Sequence, residues 1–334
     1  MKKISTAHIL LLFIILSQVV LSFVLAFTEI QLPIVASALV SQGSILLPFA
    51  VYCIVRRQNP LKLIRVKKIS FKTAILAAVV AFCSYPVAIF LNFVSMLFVE
   101  NAMTDVMNEM MSIGLGVSLL LVAVLPAIVE ETVFRGMLYN TYSKRRPLMG
   151  IILSALLFGL MHGNLNQMPY TLFLGLVMAF LMEAADSILA PMIMHFTLNG
   201  TSTLLSWFTS GSEESASGAT NIREALMESY RESYAQQGLE IAEAELQSMV
   251  GVGIVIMLIM YAVFAIIAGS IVFVIIYCMF RSRGVTLKDV FKADRSETAY
   301  VETKSGKLRK NRMIDGYVIA FIIITAVLCI LESL

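Results

Sequence analysis

Nine apolar runs leave this chain very few ways to fold. They cover about residues 8–27, 33–55, 73–99, 113–139, 148–162, 169–185, 187–208, 250–280 and 317–330. A hydrocarbon core of ~30 Å is crossed by roughly 20 apolar residues in helical form. Inside it each backbone N–H and C=O needs a partner within the protein, which a helix supplies along its own length. Composition points the same way: 59% of residues are apolar, 14% are charged and the mean hydropathy is +0.86. Average soluble domains carry about 25% charged residues. The expectation is an all-α polytopic membrane protein with about nine transmembrane helices. A soluble globular protein is excluded, and nucleic acid is not an expected partner.

The connections set the orientation. Lys2 and Lys3 precede the first run, as in a signal peptide. That run is longer than the roughly 7–15 residues of a signal h-region, so it reads as an uncleaved helix with His8 at its interfacial edge. Basic residues crowd segment 56–72, Lys144–Arg146 and segment 281–312. With the N-terminus inside, all of the 25 Lys and Arg except Arg135, Arg223 and Arg231 fall on the cytoplasmic side. The positive-inside rule asks for this asymmetry and predicts a cytoplasmic N-terminus and an extracytoplasmic C-terminus. Leu61, Leu63, Ile64 and Val66 would also let segment 56–72 lie on an anionic lipid surface. Four parts follow: 1–112 with three helices, 113–208 with four, the acidic loop 209–250, and 251–334 with two. Within the loop, Asn221 and Glu224 resemble a capping box and Gly238 separates two helices. Cys53, Cys83, Cys278 and Cys329 fall within apolar runs and read as small hydrophobes. No internal repeat is visible, which argues against transporters built from duplicated halves.

The fourth run is the exception to its surroundings. Glu130, Glu131 and Arg135 interrupt an otherwise apolar stretch from Ile113 to Tyr139. Each charge at that depth costs about 2.5–3.5 kcal/mol even on the lenient insertion scale, so such residues mark function. Glu131 and Arg135, four apart, share a helix face and can form an ion pair. Glu130 is about 100° around and stays available to act on water or a metal. Pro126 opens the backbone ladder just before them. Two of the three histidines, His162 and His195, lie in neighbouring runs, and Asn199 shares a face with His195. At 1.5 Å per residue, Glu130 and His195 lie about 13 and 12 Å from the cytoplasmic ends of their spans and His162 about 20 Å. One cavity can hold all of them.

Glu130-Glu131-x-x-x-Arg135, Phe158-x-x-x-His162 and His195-x-x-x-Asn199 resemble, in order and spacing, the three motifs of the CAAX-protease and bacteriocin-processing (CPBP/Abi) intramembrane proteases. The resemblance covers about residues 113–208 and implies a four-helix catalytic core. It implies that Glu130 activates a water, that His162 helps to hold that water or a metal, and that His195 and Asn199 donate to the oxyanion. Glu131, Arg135 and Phe158 would support the site. Donors aimed at a developing oxyanion act most strongly in a low-dielectric site. Glu130, His162 and His195 can supply three zinc ligands with an open fourth position; a metal-free glutamate mechanism is the alternative.

The expectation is an intramembrane endopeptidase acting near the cytoplasmic half of a bacterial plasma membrane. Its partner would be a membrane-associated peptide or protein substrate. A non-catalytic scaffold or immunity protein of the same fold, with a protein partner at loop 209–250, stands as the alternative. A proton-coupled transporter is the third reading.

Overall fold

The computed structural model describes residues 4–100, 104–144, 146–209, 222–292, 300–302, 308–310 and 312–332. Among the described residues nine helices form the body: α1 (Ile4–Thr28), α2 (Ile34–Val55), α3 (Phe71–Met96), α4 (Leu115–Tyr142), α5 (Pro147–Met161), α6 (Met168–Ala185), α7 (Leu189–Thr209), α8 (Glu243–Ser282) and α9 (Gly316–Glu332). Six of them, α1–α4, α6 and α8, are long and apolar enough to cross a membrane. α5 and α9 are shorter but apolar, and α7 is diluted by His195, Thr197, Asn199, Thr201, Ser202 and Thr203. The chain is an all-α polytopic membrane protein. Its departure from all-helical structure is small: Tyr300–Glu302 and Leu308–Lys310 pair as two antiparallel strands within the basic segment.

Burial places α4 at the centre. In its apolar window 56% of residues are buried, against 17% to 22% in α1, α2, α3 and α8. The outer helices keep large apolar side chains such as Phe23, Phe82 and Ile266 exposed, as a lipid-facing surface requires. α4 contacts α2, α5, α6 and α7. Two glycines permit the closest approaches. A Cβ on Gly136 would lie 2.6 Å from Ile64 Cβ, and one on Gly175 of α6 would lie 3.1 Å from Ala155 Cα of α5.

α4 is not a uniform helix. Leu119–Val124 and Thr132–Tyr139 are π-helical, flanking an α-helical turn Leu125–Glu131. Pro126 cannot bond the carbonyl of Val122, four residues earlier, and the first π segment lies there. π-bulges recur at functional sites, and here the second one carries Arg135.

At the end of α4 the basic connection folds inward. Arg65, held at φ +61°, donates to Asn140 (3.1 Å), Ser143 (3.2 Å) and Glu183 (3.1 Å). Tyr139 Oη donates to the same Glu183 oxygen at 2.6 Å. Asp186, the left-handed cap of α6, pairs with Lys67 and, at 3.4 Å, with Arg283 from the end of α8. Burial, with Arg65 nearby, holds the Lys144 ammonium below its ordinary range. Arg56, Arg57, Lys62, Lys68 and Lys72 remain exposed. His8, expected at the interface, is instead fully buried: its Nδ1 lies 2.9 Å from Asp315 at the start of α9, and its ring faces Tyr142.

In the acidic loop, helix Ile222–Gln236 and the turn at Gly238 (φ +71°) match the expected break. The second helix is continuous with α8, whose 40 residues reach about 60 Å, twice a bilayer core. Leu246, Val250 and Ile254 of α8 pack with Phe93 and with Leu226 and Met227 of the preceding helix. Asn221 lies outside the described residues.

Candidate active site

The buried face of α4 builds the site with α5, α6 and α7. Glu131 and Arg135 are both fully buried, and Arg135 Nη1 donates to Glu131 Oε1 at 2.6 Å across one helical turn. Glu131 Oε1 also receives Nδ1 of His195, at 2.9 Å. One carboxylate oxygen thus binds α4 to α7. Arg135 Nη2 donates to the carbonyl of Gly175 at 3.1 Å, which binds α4 to α6. The guanidinium carbon lies 4.3 Å from the centre of the Phe158 ring, a cation–π contact with α5. Three helices are therefore referenced to one ion pair.

Phe158 is the aromatic hub. Its ring meets Phe134 (5.2 Å), His162 (4.9 Å) and His195 (6.2 Å) edge to face. His162 Nδ1 lies 2.9 Å from the Phe158 carbonyl and donates to it, since a carbonyl only accepts. The same logic applies to His195 against the Glu131 carboxylate. In both rings the neutral tautomer leaves Nε2 as an acceptor, and His195 donates from Nε2 only as imidazolium.

Glu130 points elsewhere. Its Oε1 accepts from Gln42 Nε2 of α2 at 2.9 Å, and the side chain is partly accessible. Asn199 Nδ2 donates to the carbonyl of Val122 at 2.8 Å. This is the carbonyl that Pro126 cannot bond, so the proline creates the acceptor that seats Asn199. Tyr85 of α3 donates its hydroxyl to the Leu198 carbonyl and lies 3.1 Å from Ser202, bracing α7 from behind.

The structure therefore joins Glu131, Arg135, His195 and Phe158 in direct contact, with His162 on the same aromatic ring. It holds Glu130 and Asn199 on separate anchors. Among the described residues no three His, Cys, Asp or Glu side chains are grouped to hold a metal ion. Glu130, His162 and His195 do not form a ligand set as they stand. Gln42 was not singled out from the sequence, although a lone amide within the apolar run 33–55 is the signal that would have found it.

A buried carboxylate–imidazole–guanidinium cluster thus lies at the heart of a helical membrane body. Residues 112–201, which run from the start of α4 into α7, match the family described as Type II CAAX prenyl endopeptidase Rce1-like. Over that segment the chain is similar to membrane proteases of the CAAX-protease and bacteriocin-processing family. No curated protein and no solved structure matches it.

Proposed function

We propose that this protein is an intramembrane endopeptidase that hydrolyses a peptide bond of a membrane-associated peptide or protein through a water activated by Glu130. The family match supports proteolysis. The observation that carries the mechanism is the His195–Glu131–Arg135 chain of contacts, with both histidines presenting Nε2. Glu130, half-buried and met by the Gln42 amide, takes the proton of the attacking water. Nε2 of His162 accepts from that water and orients it. His195, its Nδ1 seated on Glu131, donates to the developing oxyanion from Nε2 in its imidazolium form, and Asn199 donates with the amide proton not used on Val122. Donors of this kind contribute about 2.7–4 kcal/mol of transition-state stabilisation each. A bacterial plasma membrane, with the N-terminus inside and the C-terminus outside, accords with the charge asymmetry. The exposed lysines and arginines of segment 56–72 accord with an anionic lipid surface. Loop 209–250 offers a place for a protein partner.

The test is cleavage of a peptide library by purified detergent-solubilised protein, wild type beside Glu130→Gln. Loss of about 10³-fold or more in the variant, with the protein still folded, is expected for a missing base; retained cleavage overturns the role. Metal content and a chelator arm run alongside. About one bound zinc with chelator-sensitive cleavage would turn the reading to a zinc enzyme. Chelator-resistant cleavage supports glutamate alone.

A further inference from the structure

A groove of about 530 Å³ runs between the C-terminal halves of α1 and α9, the N-terminal half of α2 and the end of α5. Ile15, Val19 and Leu328 contribute apolar walls, while Gln18, Ser22, Ser41, His162 and Thr325 are polar, Thr325 being satisfied on the Phe321 carbonyl of its own helix. α1 and α9 lie outside the segment that carries the family match.

Three polar residues of this groove depart from the usual pattern of membrane-helix side chains. Serines on membrane helices usually satisfy their hydroxyls on a carbonyl one turn back. Ser17, Ser44, Ser84 and Ser270 do so, at 2.7 Å each. Ser22 and Ser41 do not, and neither their hydroxyls nor the Gln18 amide has a hydrogen-bond partner among the described residues. Gln18 and Ser22 are four apart, one above the other on a single face of α1. The half-buried Gln18 amide and the exposed Ser22 and Ser41 hydroxyls thus open into the groove beside His162, where an occupant with donors and acceptors of its own could meet them.

An extended polypeptide has them. Outside a helix, its N–H and C=O groups lose their partners and must be met by the protein. A Gln side chain offers both a donor and an acceptor in the plane a peptide needs. An isoprenoid chain has neither, and would leave all three groups unsatisfied. We infer that this groove seats an unwound segment of a membrane-spanning polypeptide, with Gln18 and Ser22 hydrogen-bonding its backbone and leading it to His162. The inference rests on the proteolytic reading above. The groove lies towards the helix ends away from the basic connections, so it opens in the extracytoplasmic half on the proposed orientation. The depth arithmetic from sequence favoured the other half.

The test uses the full chain carrying Glu130→Gln in lipid nanodiscs. One probe is a single-span peptide of about 25 residues with a central Gly-Pro break and a photoreactive group at the break. The other is a photoreactive farnesyl-cysteine methyl ester. The peptide is expected to crosslink to α1, and Gln18→Leu with Ser22→Ala should cut that yield about fivefold or more, the loss expected for one or two hydrogen bonds. Leu16→Ala, on the lipid-facing side of α1, should leave it unchanged, and Gln18→Asn should restore part of it. No crosslink to α1, a yield indifferent to the double substitution, or stronger labelling of α1 by the farnesyl probe would each overturn the proposal. Restoring Glu130 separates the two readings: peptide crosslinking without cleavage would leave the groove standing and sink the protease mechanism.

Discussion

Arg135 ties the site helix to two of its neighbours. It meets Glu131, the Gly175 carbonyl and the Phe158 ring while fully buried, and its Nε has no acceptor among the described residues. Removing one member of a buried ion pair leaves the other uncompensated, at a cost of about 3–5 kcal/mol. Arg135→Ala should therefore lower thermal stability in detergent sharply and release His195 from its tautomer, so that cleavage falls further than the folded fraction does. Arg135→Lys keeps the charge but not the fork that reaches Glu131 and Gly175 together, and should recover only part of the stability. A stable, fully active Arg135→Ala protein would show that the cluster is dispensable. Glu131 and Arg135 were paired by the i, i+4 rule, and the contact is as expected. Their link to His195 was not legible, because it joins residues 64 positions apart through side-chain direction.

At the scale of elements, α4 departs from its sequence signal most. Its hydropathy reads as one continuous span, yet it alternates between α and π geometry. Pro126 gave a reason to expect a break, and the rescue of the Val122 carbonyl by Asn199 supplies the consequence. The second π segment has no proline or glycine pair of that kind, and Gly136 within it meets Ile64 instead. A methyl group there would have to displace Ile64 and Ile188. Gly136→Ala should destabilise the protein by about 1–3 kcal/mol, the usual range for overpacking. The check is a melting curve in detergent. No change in midpoint would mean that the connection before α3 yields easily and does not brace the site helix.

For the whole molecule, the decisive feature is that the basic connection is a structural part and not only a topology signal. Arg65 joins the end of α4 to Glu183 of α6, and Asp186 joins both to Lys67 and Arg283. Ion pairs exposed to water contribute little, but Arg65 is mostly covered and bonds three partners. Arg65→Ala should cost about 1–3 kcal/mol by leaving Glu183 short of a donor, whereas Lys68→Ala, exposed and without such a network, should be nearly neutral. Urea or thermal unfolding of the two variants side by side would decide it. Equal losses would reduce the connection to the positive-inside role read from its composition.

The membrane helices, their approximate ends and the presence of ionisable residues within them were legible in the sequence alone, for one physical reason. In lipid the backbone must be satisfied locally, so hydropathy and length leave little freedom, and charges inside an apolar run stand out against it. What only the tertiary structure decided was which groups face one another. His195 bonds Glu131 while Glu130 is met by Gln42, His8 is buried on Asp315, and α1 closes one wall of the groove beside His162. Those pairings depend on rotation of each helix about its axis and on contacts between residues far apart in the chain. Hydropathy carries no record of either, because a residue on any face of a membrane helix is equally apolar to its neighbours in sequence.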